Sequence, residues 1–367
     1  MTSLLAVVAM TIVLFVMAPV QGQAQQNLTN QTTINTEGLN ANSLDIQSTP
    51  MKKVHVGDID VAYKMFGKGE PILLIQGLGG SMDSWQPSII KELSVGDIDI
   101  AYKMFGRGEP ILLIAGQQSK MDTWVPSILR NLSTNHTVIV FDNRGVGNTT
   151  TGTKPFSIQQ FANDTAGLID GLKIQKADVL GHSMGSFIAQ QLAVTHPEKV
   201  NRLLLVSSSC GGKESIPTSP QVERFASDMI KNATNNVPIS NMRTLASLGQ
   251  GPGWMKAHPN AFQSVPERLN FSEMIKISGT PLNTVKQQIG ASHAWSGVCD
   301  KLTGVSSPTL IITGTDDINV PAANSLIIAG KIPGAWLVHI KDAGHAIMSQ
   351  YPDKFNKILQ TFLTTTS

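Results

Sequence analysis

Cysteine is nearly absent from this chain of 367 residues: there are two, Cys210 and Cys299. Two cannot form the scaffold of a small disulfide-knit protein. They either make a single bridge in an oxidising compartment or stand as two buried thiols. An excess of one charge is lacking too. Lys and Arg number 28 against 26 Asp and Glu, a net charge of +2 with no basic run, which argues against a nucleic-acid partner. None of the eight histidines forms an H-x-x-x-H pair, so nothing in their spacing suggests a metal site. The apolar run from Leu4 to Val20 has no Lys or Arg before it, so the charged start of an export signal is missing.

Several features are present. Hydrophobic residues make up 41% of the chain, ample for a core, and the length permits one large or two small domains. Residues 1–24 read as a signal peptide, cleaved after the small residues near Gly22-Gln23-Ala24, or as a membrane anchor through residues 4–20. Either reading places the rest of the chain outside the cytoplasm. Residues 25–52, rich in Gln, Asn, Thr and Ser, read as a disordered linker. Asn-x-Ser/Thr sequons at Asn27, Asn30, Asn131, Asn135 and Asn232 fit an exported chain.

Gly181-His182-Ser183-Met184-Gly185 lies between a strand-like run, 177–180, and a helix-like run, 186–193. A G-x-S-x-G turn between strand and helix presents its serine at the edge of a sheet, and the glycines keep side chains out of a crowded turn. A serine nucleophile needs a base, and the base needs an acid to orient it. Downstream, the strand-like run 308–313 leads into Gly314-Thr315-Asp316-Asp317. The run 335–340 leads into Ala343-Gly344-His345. Both segments place their polar residues at strand ends, where open α/β sheets put their chemistry.

These motifs resemble the α/β-hydrolase superfamily in its serine-nucleophile branch, from about Lys53 to the C-terminus. The chain looks most similar to enol-lactonases and cofactor-free haloperoxidase-like esterases. The family pattern G-x-x-D-x-x-x-P falls on Gly314, Asp317 and Pro321. The pattern D-x-R-G-x-G falls on Asp142, Arg144, Gly145 and Gly147. The resemblance implies a mostly parallel central sheet flanked by helices, with a helical cap inserted. It implies Ser183 as nucleophile, His345 as base and Asp317, rather than Asp316, as acid. Backbone N–H groups of Met184 and of one more residue would form the oxyanion hole. No metal or organic cofactor is expected, and the expected substrate is a small ester or lactone. Alternatives are another triad chemistry (perhydrolase or haloperoxidase, aminopeptidase, C–C hydrolase) or a non-catalytic binding or surface protein on the same scaffold.

Residues 56–93 recur in large part at 95–132: Val56-Gly57-Asp58-Ile59-Asp60 matches Val95-Gly96-Asp97-Ile98-Asp99. Two copies are too few for a solenoid. The resemblance implies that one copy fills the sheet and supplies the second oxyanion donor. The short link from the second copy to the strand at 137–141 favours Gln117. If the first copy is used, the donor is Leu78. The domain reading is therefore hydrolase core at 53–210 and 306–367, with a helical cap at 211–305. Helical pieces are expected at 221–231, 239–248, 267–277 and 284–295. His182, Trp254, Met255, Phe271 and Trp295 are candidates to line a substrate pocket. Oligomeric state is not legible in the sequence.

Overall fold

The computed structural model describes residues 52–56, 59–63, 90–234, 239–240, 247–263, 268–269 and 278–366. The leader, the linker as far as residue 51, Leu78 and Phe271 lie outside them. The described residues fall into two compact units, a hairpin and the chain from Ile90 onward. Among them no helix is long and apolar enough to cross a membrane.

The hairpin pairs β1 (Lys52–Val56) with β2 (Ile59–Tyr63), from Lys52 opposite Tyr63 to Val56 opposite Ile59. In the larger unit β3 (Lys91–Val95) pairs with β4 (Ile98–Gly106) in the same register, 39 residues on. The repeat therefore extends in structure back to Lys52 and Lys91, ahead of the continuous match that begins at Val56 and Val95. A glycine with φ +60, Gly96, makes the turn between β3 and β4.

The second copy continues from β4 into β5 (Glu109–Ile114) and α1 (Pro126–Leu132). The chain proceeds through β6 (His136–Phe141), α2 (Ile158–Gly171), β7 (Ala177–His182), α3 (Met184–Thr195) and β8 (Val200–Val206). After an inserted segment come β11 (Thr309–Gly314), α7 (Ala323–Lys331), β12 (Trp336–Ile340), α8 (Ile347–Gln350) and α9 (Pro352–Thr365). The sheet order is β12-β11-β8-β7-β5-β6-β4-β3, parallel except where β4 meets β3 and β6. This is an α/β-hydrolase fold. β5 lies between β6 and β7, so the strand order reverses beside the Gly181–Gly185 turn (the elbow), at the point where open sheets bind ligands.

Alternation along the strands sets the two cores. Leu112 and Ile114 point to the face covered by α2 and α3, while Ile111 and Leu113 point to the face covered by α1 and α9. All six residues of β7 and of β11 are buried. Strands covered on both faces read as continuous apolar runs for this reason.

The insertion holds α4 (Pro220–Thr234), α5 (Pro252–Ala257) and α6 (Leu282–Ala294), with a two-residue ladder of β9 (Ile239–Ser240) and β10 (Arg268–Leu269). The helices expected over 239–248 and 267–277 therefore do not hold at Ile239–Ser240 and Arg268–Leu269, which pair as strands. The ladder forms between segments distant in sequence, a pairing that the local helical pattern does not reveal. Cys210 and Cys299 are joined in a disulfide with Cα atoms 5.0 Å apart, so one bridge closes the two ends of the insertion.

Candidate active site

Ser183 links β7 to α3 with φ 55° and ψ −126°, a conformation seldom taken by a residue with a side chain. The strain is held by the surroundings. Ser183 N–H donates to the Val206 carbonyl of the next strand (3.0 Å), and its carbonyl accepts from Ser186 N–H (2.8 Å). Both elbow glycines are required by space. A Cβ on Gly181 would stand 2.6 Å from Ser186 Cα, and one on Gly185 would stand 2.7 Å from the Ile114 carbonyl carbon. The Met184 N–H belongs to the open first turn of α3, where helical N–H groups have no internal partner.

His345 follows β12 and Asp317 follows β11, both only 4% exposed. His345 Nδ1 bonds Asp317 Oδ2 at 2.9 Å. The other carboxylate oxygen accepts the backbone N–H groups of Asn319 and Val320, each at 2.9 Å. The carboxylate is thus fixed on both oxygens, and Nε2 of the imidazole is the nitrogen left for proton transfer. Asp316 is half-buried and among the described side-chain contacts takes the Thr315 hydroxyl, at 3.1 Å. Among the described contacts no hydrogen bond joins Ser183 to His345. In unliganded sites such bonds are commonly long and tighten when substrate binds.

His182 is buried, and its Nε2 donates to the His345 carbonyl (3.2 Å), with the two rings 5.0 Å apart. Burial, aided by the neighbouring His345, pushes the His182 pKa down to about 3. The ring is therefore neutral at ordinary pH and ties the elbow to the loop that carries His345.

The loop expected to carry the second oxyanion donor follows β5. A Cβ on Gly116 would lie 3.2 Å from Ser183 Cβ, tighter than most such contacts, so glycine lets this backbone pass close to the serine. Gln117 comes next, fully buried, and Gln118 has φ 63°. Neighbouring parts of the core brace the loop. Asn143 Nδ2 donates to the Ala115 carbonyl at 3.1 Å, and Asp142 accepts from Met121 N–H at 2.7 Å and Asn148 N–H at 2.9 Å. Burial pushes the Asp142 pKa up despite these bonds. Arg144, with no exposed side-chain surface, forks between Asp97 and Asp164 at 2.7–2.9 Å. It ties the β3–β4 turn to α2 and holds the Asp97 carboxyl well below the usual carboxylate range.

The insertion also reaches this loop. Gln288 of α6 accepts Gln118 N–H at 2.9 Å, and Thr280 donates to the Gln118 carbonyl at 3.1 Å. Neither residue carries a local motif that would reveal this role. Of the expected pocket residues, Trp254 is buried, stacks on His258 with centroids 4.3 Å apart and donates to the Gln350 carbonyl (3.3 Å). The adjoining Gly249 carbonyl accepts Ala346 N–H at 3.1 Å, so this segment braces the His345 loop. Met255 is half-buried. Trp295 stacks on Phe187 of α3 at 5.2 Å and donates to Gln191 (2.8 Å), seating the end of the insertion on α3.

The model of the alpha/beta hydrolase fold family matches residues 109–350, about two thirds of the chain. The chain belongs to this family. It is 28% identical over 312 residues to a putative carbamate hydrolase, RutD, of Azorhizobium caulinodans, covering 85% of this chain and 98% of the relative. It is 29% identical over 226 residues to the poly(3-hydroxyalkanoate) depolymerase of Ectopseudomonas oleovorans, covering 62% and 74%. The solved enol-lactonase of Burkholderia xenovorans LB400 superposes with a TM-score of 0.60 at 22% identity, covering 75% of this chain and all of that one, a likeness of fold. The chain is thus an enzyme, a hydrolase of the α/β family.

Proposed function

We propose that this hydrolase cleaves a small carboxylic ester or lactone through Ser183, His345 and Asp317. The observation that carries the reading is the 2.9 Å bond from His345 Nδ1 to a carboxylate whose other oxygen is held by two backbone N–H groups. A base oriented in this way takes the proton of Ser183 as the serine oxygen adds to the substrate carbonyl. The Met184 and Gln117 N–H groups stabilise the oxyanion. The imidazolium returns the proton to the departing alcohol, leaving an acyl-enzyme. Water, activated by His345, then releases the acid. Relatives named for carbamate, poly(3-hydroxyalkanoate) and enol-lactone substrates support a compound with a cleavable acyl group. The Cys210–Cys299 bridge and the apolar leader support a working place outside the cytoplasm, with the leader either cleaved or kept as an anchor.

A fluorophosphonate probe with peptide mapping tests the nucleophile. We expect stoichiometric labelling of Ser183, and a folded Ser183→Ala protein that neither labels nor turns over esters or lactones, with a loss approaching a millionfold. Label on another serine, or hydrolysis retained in Ser183→Ala, overturns the mechanism.

A further inference from the structure

Two buried carboxamides at the oxyanion loop are left incomplete. Gln117 is 0% exposed, yet among the described residues neither its Nε2 nor its Oε1 has a hydrogen-bond partner. Gln288, also 0% exposed, accepts Gln118 N–H through Oε1 and among the described residues has no partner for Nε2. A carboxamide offers two donors on nitrogen and an acceptor oxygen, and burying these unmet is unfavourable. A position that served packing alone would be better filled by Leu or Met. Buried polar groups without partners therefore call for something that binds them. The place is specific. Gln117 follows the glycine that abuts Ser183, and Gln288 bonds the residue after Gln117.

We propose that the Gln117 and Gln288 side chains form a subsite for a neutral hydrogen-bonding group, a hydroxyl or amide, on the acyl part of the substrate, a few bonds from the scissile carbonyl. The inference rests on the serine-hydrolase reading and adds a selectivity to it. The acyl part stays on Ser183 through both half-reactions, so a polar group there is held in each. Gln117 supplies an acceptor and donors, and Gln288 supplies donors. The group bound is therefore one that both gives and takes hydrogen bonds, rather than a plain alkyl chain. A site built around such bonds discriminates strongly, because the analogue lacking the polar group leaves the buried carboxamides unmet.

The test compares kcat/KM of the full chain for 4-nitrophenyl 3-hydroxybutyrate, 4-nitrophenyl butyrate and the 4-nitrophenyl half-ester of succinate. Fluorophosphonate labelling of Ser183 is run in parallel. The expected result is a preference for hydroxybutyrate over butyrate of about tenfold or more, which Gln117→Leu brings close to unity and Gln288→Met reduces. The ratio is the readout, because the plain ester reports whatever the substitution does to the shared machinery. Gln117→Met, closer in shape, serves if the leucine variant does not fold. Wild-type protein that labels on Ser183 but shows no preference overturns the subsite and leaves the nucleophile standing. So does a ratio unchanged in the Gln117 variants. A preference for the succinyl ester also overturns it, and turns attention to Lys120, whose ammonium lies beside Gly279. Absence of label in the wild type overturns the parent reading, and this one with it.

Discussion

The two walls around Ser183 are held by different means. On the sheet side, the chemical groups sit at strand ends and are fixed by main-chain atoms. Ser183 N–H bonds the next strand, and Asp317 takes two backbone N–H groups besides His345. On the side of the insertion a few backbone bonds, such as Ala346 N–H to the Gly249 carbonyl, are joined by many links through side chains: Gln288 and Thr280 to Gln118, Trp295 to Gln191, Trp254 to Gln350, and the disulfide at the base. Backbone bonds depend little on side-chain identity, so the first wall keeps its geometry while the sequence around it varies. The second wall changes with each substitution. One fold can in this way keep a reaction and exchange its substrate.

The largest effect that tests this contrast belongs to the sheet side. Asp317→Asn is expected to lower kcat by about ten-thousandfold, because an amide in that place favours the wrong imidazole tautomer. Asp316→Asn is expected to stay within about tenfold of wild type, because among the described contacts the Asp316 carboxylate meets the Thr315 hydroxyl and not the imidazole, whose orientation is left intact. Steady-state rates on one activated ester decide the matter. If Asp316→Asn is the more damaging change, the acid has been misassigned.

A smaller effect tests the other wall. The disulfide spans 89 residues of sequence and encloses the whole insertion. Cys210→Ala with Cys299→Ala is expected to cost about 2–4 kcal/mol of unfolding free energy, chiefly by freeing a long loop in the unfolded chain. Urea unfolding, with and without reductant, measures it. Reductant should move the wild-type midpoint toward that of the double variant and leave the double variant unmoved. Equal midpoints in all four conditions would show that side-chain contacts alone close the insertion.

The same contrast explains what was legible in the sequence. Gly181, Ser183 and Gly185 are read from five consecutive residues because the constraint is local: the glycines are crowded by the turn itself and by the adjoining strand. Asp317 and His345 stand at the ends of strands whose apolar runs are plain. Gln288 and Thr280 lie 170 and 162 residues from the Gln118 that they brace, and no period or motif marks them. The β9–β10 ladder joins segments 29 residues apart, too short and too distant to compete with a helical pattern when read locally. For Trp254 and Trp295 the residue type suggested a pocket, whereas their contacts bind the insertion to the core. Whether an aromatic residue meets substrate or the neighbouring chain is decided by the packing of the insertion.

The smallest effect concerns His182, which belongs to the elbow yet contacts the loop of the base. Its folded pKa is about 3, lowered mainly by burial, against about 6.5 in an unfolded chain. The sign follows from proton binding. Below pH 6.5 the unfolded chain takes up a proton that the folded one refuses, so stability falls as pH falls, through the window from about 6.5 down to about 3. Between pH 7.5 and 5.5 the contribution of this one group amounts to about 1.4 kcal/mol. Other groups titrate in the same range, so the informative quantity is a difference. Unfolding free energy from urea titration, measured at both pH values, should fall by that much more in the wild type than in His182→Asn, where an amide can still donate toward the His345 carbonyl. Equal falls in the two proteins would mean that the His182 ring accepts its proton in the folded state. The ring would then carry a charge beside His345, and the neutral tie between the elbow and the base would have to be abandoned.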